Sequence, residues 1–112
     1  MYSKELLKGT IEIIILKLLS DGKEMYGYEI TQQVKEITAG KIVISEGALY
    51  SALHKLEATG VLSTETVMMG KRPRKYYNLT KSGKLVASEK IAELSAFLRS
   101  MGDVMDLKIN IQ

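Results

Sequence analysis

The chain has no cysteine and no tryptophan, and only one proline and one histidine among its 112 residues. Without thiols there are no disulfides and no thiolate metal sites, and a lone histidine cannot assemble a protein-only zinc or copper centre. No metal and no cofactor are therefore expected, and a reducing cytoplasmic compartment is. Nucleophilic catalysis lacks its parts as well, because no base converges on a nucleophile and no motif pairs the carboxylates. An enzyme is not expected. Long hydrophobic runs are missing too: "IIIL" in the opening segment is far short of the ~20 residues of a membrane span, so no membrane partner is expected. The start, "MYSKELLKGTIEIIILKLL", carries charges throughout and has no small-residue cleavage site, so no leader is expected.

What remains is ordinary globular material, 46% hydrophobic and 26% charged, enough for one domain with a modest core. The net charge of +3 is unevenly placed. Six bases and no acid lie between Lys71 and Lys84, which leaves ten bases against 13 acids elsewhere. Concentrated positive charge on a net-acidic remainder points to a polyanion as partner.

Periodicity divides the chain into segments. Over Lys4–Ser20, Leu7, Ile11, Ile14, Ile15, Leu18 and Leu19 form a helical stripe that Ile13 and Leu16 widen beyond what one packing partner covers. The "SDG" of residues 20–22 closes it. Ile30, Val34 and Ile37 mark a short amphipathic helix stopping at Gly40, and "KIVI" reads as a brief strand. In "SEGALYSALHKLEATGVLS", Ser45 is a plausible N-cap, Leu49, Ala52, Leu53 and Leu56 form the buried stripe, and Gly60 is placed for a left-handed C-cap. "VLSTETVMM" and "KYYNL" are strand-like, joined by a turn, "GKRPR", that becomes a basic hairpin tip. Thr80 caps a last helix whose Ala87, Ile91, Leu94, Leu98 and Met101 make a heptad seam ending at Gly102. There are no internal repeats, low-complexity stretches or linkers.

The expected fold class is mainly α with a small β-hairpin, a winged helix-turn-helix over residues 1–79. A C-terminal dimerisation helix follows over 80–102, and then a tail over 103–112. In such a fold the helix before the hairpin enters the major groove and neighbouring elements hold phosphates. The face of that helix opposite its leucines carries Gly47, Tyr50, Ser51 and His54, with Lys55 beside it, and lacks the charge lacing of a solvated helix. Tyr50, Ser51 and His54 suit base edges and sugars. Ser45 and Gly47 open the helix where amides attract a phosphate, and Lys55 or the Tyr50 hydroxyl would hold the backbone. Lys71, Arg72, Arg74 and Lys75 form the wing. Of the two tyrosines flanking Gly27, Tyr28 is assigned to a phosphate and Tyr26 to packing. Tyr77 and Leu79 share a core face, leaving Tyr76 outside, and Met68 and Met69 read as adaptable packing. "GK" at 83–84 lacks the upstream glycine of a phosphate loop.

"LKGTIEIIILKLL", "MYGYEI", "EGALYSALHKLEATGVL" and "RKYYNLTKSGK", in that order, resemble the short form of the PadR-like family of bacterial transcriptional repressors over about residues 7–84. The family commonly has proline after the tyrosine of its third helix, where this chain has Ser51. The resemblance implies a homodimer whose last helix packs on the partner's first, through Leu7, Ile11, Ile14, Ala87, Ile91, Leu94, Leu98 and Met101. It also implies a crevice for a small hydrophobic or aromatic effector. The tryptophan that some relatives use there is missing; Leu94 and Phe97 are the nearest substitutes, and the expected pocket is Ile15, Leu94 and Phe97. The function implied is a repressor binding double-stranded DNA at a palindromic operator, with such an effector as the candidate signal for its release; the competing reading is a protein-interaction adaptor that uses the same fold without DNA.

Overall fold

The computed structural model describes residues 2–22 and 24–108. Ser3 caps helix α1 (Lys4–Leu7), its hydroxyl accepting from the Leu6 amide at 3.3 Å. The single helix expected over Lys4–Ser20 is in fact two. Gly9 adopts φ +90°, and α2 (Ile11–Asp21) starts afresh beyond it. Glycine favours such a break because it stabilises a helix interior less than alanine by about 1 kcal/mol and enters the left-handed region freely. Helix α2 is central: Ile15, Leu16 and Leu19 are buried, while Ile11, Ile14 and Leu18 pack against the core from its margin.

Strand β1 (Met25–Tyr26) precedes α3 (Gly27–Ile37) and was not anticipated; two residues are too few to show a period. The α3 start is held by Glu29, whose carboxylate accepts from the Tyr26 amide at 3.1 Å. The helix ends in two left-handed residues, Ala39 (φ 52°) and Gly40 (φ 78°), with the Gly40 amide donating to Lys35 O at 2.7 Å. The strand expected at "KIVI" does not form. Among the described residues no strand lies beside it; instead the Thr38 hydroxyl accepts from the Ile42 amide, and Ile44 drops into the core. β-Branched residues here serve burial, not pairing.

Helix α4 (Glu46–Ala58) follows, with the Ser45 hydroxyl accepting from the Ala48 amide at 3.2 Å. It buries Leu49, Ala52, Leu53 and Leu56, the expected stripe. Gly60 (φ 79°) donates to Glu57 O and Val61 to Leu56 O, the paired bonds of a left-handed cap. Strands β2 (Leu62–Met69) and β3 (Arg72–Leu79) then form a hairpin in register Leu62↔Leu79 through Met69↔Arg72. The turn is only Gly70 and Lys71, with Gly70 at φ 67°; Arg72, Pro73 and Arg74, expected in the tip, are strand residues. Strand β1 joins β3 antiparallel through Met25↔Tyr77 and Tyr26↔Tyr76, giving a sheet of order β1-β3-β2. Tyr77 is buried and Tyr76 half-buried on the other face.

The last helix, α5 (Lys81–Val104), is capped by the Thr80 hydroxyl, which accepts from the Gly83 amide at 2.9 Å. The same hydroxyl donates to Gly60 O at 2.7 Å, and the Thr80 amide donates to Val61 O at 3.1 Å. A Cβ on Gly83 would collide with the Val61 carbonyl oxygen and lie 3.0 Å from its carbon. Glycine is thus required for α5 to seat on the α4–β2 corner, a use of "SGK" that its spacing did not reveal. Gly102 does not stop the helix; it is buried, and the helix ends two residues later, the Leu107 amide donating to Gly102 O at 2.7 Å. Residues 109–112 of the expected tail lie outside the described residues. Helix α5 gives the molecule its length of 54 Å against 30 and 22 Å in the other directions. Among the described residues no helix is long and apolar enough to cross a membrane.

Candidate nucleic-acid interface

Strand β1 covers β3 only at Tyr76 and Tyr77, so Arg72–Lys75 projects beyond it with one edge unpaired. At ~3.3 Å per residue this overhang reaches about 13 Å. Between it, α4 and the start of α3 opens a cleft of about 550 Å³. Helix α4 contributes Tyr50 and His54, the α3 start Tyr26, Gly27 and Tyr28, and the hairpin Met69 and the run Arg72–Lys75, with Tyr77 at the floor. Six expected contact residues thus meet on one concave surface: Tyr28, Tyr50, His54, Arg72, Arg74 and Lys75. Ser45, Gly47, Ser51, Lys55 and Lys71 are exposed outside it.

Several side chains are already held. The hydroxyl end of Tyr50 abuts Gly27: a Cβ there would collide with the hydroxyl and lie 2.8 Å from Cζ. The glycine of "YGY" is therefore a seat for the tyrosine of α4, and nothing in the local pattern announced a contact 23 positions along the chain. The Arg74 guanidinium lies over the Tyr26 ring, 4.0 Å from its centre, and Tyr26 meets Tyr76 edge-on at 5.5 Å. A cation over an aromatic face gains about 0.5–1 kcal/mol when exposed, enough to bias the arginine's direction. Tyr26, expected only to pack, so positions a base.

Lys75 bonds Glu57 at 3.2 Å and stands 5.6 Å above the Tyr77 ring. Glu57 also accepts from the Thr64 hydroxyl at 3.0 Å. These two hydrogen bonds, Thr64 first, hold its carboxyl below the ordinary range despite some opposing desolvation, with the Lys75 and His54 charges adding to the effect. Burial raises the Tyr77 phenol, partly countered by Lys75. Lys55 is paired with Glu12 at 3.3 Å rather than free. Exposed pairs of this kind contribute at most ~1 kcal/mol, so neither lysine is withheld from a stronger anion. Glu46 occupies the first turn of α4, where it already answers the helix dipole near Gly47.

The opposite flank is apolar. Helices α2, α3 and α5 line a groove of about 290 Å³ containing Ile14, Leu18, Val34, Ile91, Leu94 and Leu98. Ile15 is wholly buried in the core and Phe97 is 55% exposed, and neither lines this groove, so of the three residues expected in a pocket only Leu94 does. Ala87, expected to face a partner, is sealed at 0% exposure inside its own subunit. Leu7, Ile11, Ile14, Ile91 and Leu94 are half-buried, while Leu98 and Met101 are exposed. Beyond them Val104, Met105 and Leu107 are uncovered. Met68 and Met69, expected as adaptable packing, stand largely exposed on the hairpin and outside the core.

Helices α3 and α4 across a turn, followed by a hairpin that projects beside α4, define a winged helix-turn-helix. Residues 15–89 match the transcriptional regulator PadR-like family. A transcriptional regulator of Mycobacterium tuberculosis is 30% identical over 98 residues, covering 88% of each chain. The solved structure of a transcriptional regulator from Clostridium thermocellum superposes with a TM-score of 0.80 at 30% identity, over 92% of this chain and 97% of that one. A PadR family regulator from Clostridium difficile superposes at 0.71 with 32% identity, over 87% and 98%. The chain belongs to the PadR-like family of transcriptional regulators.

Proposed function

We propose that the protein is a homodimeric, sequence-specific DNA-binding repressor and not an enzyme, working in the cytoplasm. The observation that carries this reading is the cleft, where Tyr50 and His54 of α4 face Arg72, Arg74 and Lys75 of the hairpin. From Thr66 to Ser88 the chain has no acidic residue. Helix α4 would lie in the major groove with Tyr50, Ser51 and His54 at base edges, and Ser45, Gly47, Lys55 and Tyr28 toward phosphates or sugars. Lys71, Arg72, Arg74 and Lys75 would track the adjoining backbone.

A second copy fits the apolar flank, because the far half of α5 leaves Leu98, Met101, Val104 and Met105 exposed, a surface rarely left open on a monomer. Two copies related by a two-fold axis read a palindrome with half-sites about 34–36 Å apart. The groove beside Leu94 is the site for a small hydrophobic effector, which acts only if it binds the non-operator arrangement better. Fluorescence anisotropy with DNA from upstream of the protein's own gene and a scrambled duplex, at about 50–200 mM salt, tests the reading. Tight binding of two chains to the upstream duplex with a steep salt slope is expected. No binding to either duplex at the lowest salt overturns it and favours an adaptor that uses the fold without DNA.

A further inference from the structure

The hairpin carries an apolar residue where a purely electrostatic wing has no use for one. Met69 is 48% exposed, stands directly across from Arg72 in the strand register, and lines the same cleft as Tyr50 and His54. Pro73, one position further along β3, lines it too. Met68 is more exposed, at 61%, but projects from the other face of the strand and lies outside the cleft. An exposed thioether gains nothing from water and adapts easily to an irregular apolar surface.

We infer that Met69 is a specificity-determining contact, its side chain entering the minor groove beside the α4 site, with Arg72 on the flanking phosphate. The inference rests on the DNA-binding reading above. The occupant follows from charge and size. Arg72 stands across from the methionine, Lys71 and Arg74 lie within two residues of Arg72, and no acid occurs between Thr66 and Ser88, which suits a polyanion and disfavours an apolar protein partner. Helix α4 has the bulk for a major groove about 12 Å wide, whereas the minor groove, about 6 Å wide, admits single side chains. Methionine is among the side chains that enter there and wedge against a base step, at a cost that depends on how easily the step unstacks. Arg72 reads no sequence through a phosphate; Met69 reads deformability and minor-groove width.

The test uses the full chain and a fluorescein-labelled duplex recovered from a random-sequence library by repeated selection on the wild-type protein. Met69→Thr keeps a strand-forming residue and removes the apolar reach. It is expected to weaken binding about tenfold, the order for losing part of a methionine's burial, with no change in the salt slope or in Tm. Met69→Leu restores most of the affinity, and Met68→Thr leaves it within about twofold. Replacing G·C by inosine·C pairs beside the α4 site removes only the minor-groove amino group. That replacement tightens the wild type and leaves Met69→Thr unmoved. Equal affinities for wild type and Met69→Thr overturn the inference, as does an equal loss from Met68→Thr or a loss accompanied by a flatter salt slope. If selection enriches no duplex at all, the DNA-binding reading falls, and the inference with it.

Discussion

The two flanks of this small protein solve opposite problems. The cleft side is basic and held open by polar contacts: Arg74 over Tyr26, Lys75 between Glu57 and Tyr77. The α2–α5 side centres on an apolar groove, with Ile14, Leu18, Ile91, Leu94 and Leu98 around it and Lys17 the one charged residue of its lining. If the first flank binds DNA as proposed, its affinity depends on counterion release and weakens steeply with salt. If a second copy covers the other flank as proposed, that association depends on apolar burial, which salt leaves nearly untouched. Salt and protein concentration are therefore separate handles on the two surfaces.

The most severe way to break the contrast is to cut the joint between the flanks. Gly83→Ala forces a methyl group into the Val61 carbonyl, and neither partner is the flexible end of a side chain. Its Tm is expected to fall by roughly 10–20 °C in a circular dichroism melt, and both surfaces suffer together. Leu94→Glu with Leu98→Glu should act on one flank alone. Charges placed in an apolar contact weaken self-association by at least about 100-fold, seen as monomers by analytical ultracentrifugation, while the hairpin keeps its charge. Arg72→Ala with Arg74→Ala is the converse. It leaves the sedimenting mass unchanged and flattens the slope of log affinity against log salt by about 1.8, since each lost phosphate contact removes about 0.9.

The smallest effect is acid-dependent. Because the folded state holds the Glu57 carboxyl below its ordinary value, the bonds from Thr64 and Lys75 stabilise the hairpin above the ordinary carboxylate pKa. That contribution fades as pH falls through the folded value. Glu57→Gln is thus expected to melt earlier than wild type at neutral pH, with the gap closing on acidification.

Much of this was legible because it is local. The α4 stripe, the Ser45 and Thr80 caps, the Gly60 turn and the acid-free basic run each lie within a few consecutive residues. What was missed depends on distant partners. Strand β1 exists because Met25 and Tyr26 meet Tyr77 and Tyr76 some 50 positions away, and a pair of residues carries no period. "KIVI" has strand composition but no neighbour to pair with. Gly27 and Gly83 are fixed by Tyr50 and Val61, contacts that composition does not encode. The same limit misjudged Ala87 and Ile15: a heptad seam or a wide stripe shows that a side chain is apolar, not whether its own subunit or another covers it. Gly9 did carry a readable signal, since a glycine before Thr10 in an apolar helix is a natural break.

The seat of α5 on the α4–β2 corner has a mechanical meaning. Thr80 bonds both Gly60 and Val61, and Gly83 brings the helix backbone against the same carbonyl, so the helix is pinned at its root while its last turns, beyond Leu98, stand largely exposed. Its 24 residues make an arm of about 36 Å at 1.5 Å per residue. Turning such an arm by about 5° would sweep its tip through about 3 Å, so a small tilt at a root held beside the end of α4 is magnified at the far end. The helix is a lever whose fulcrum abuts the last turn of α4.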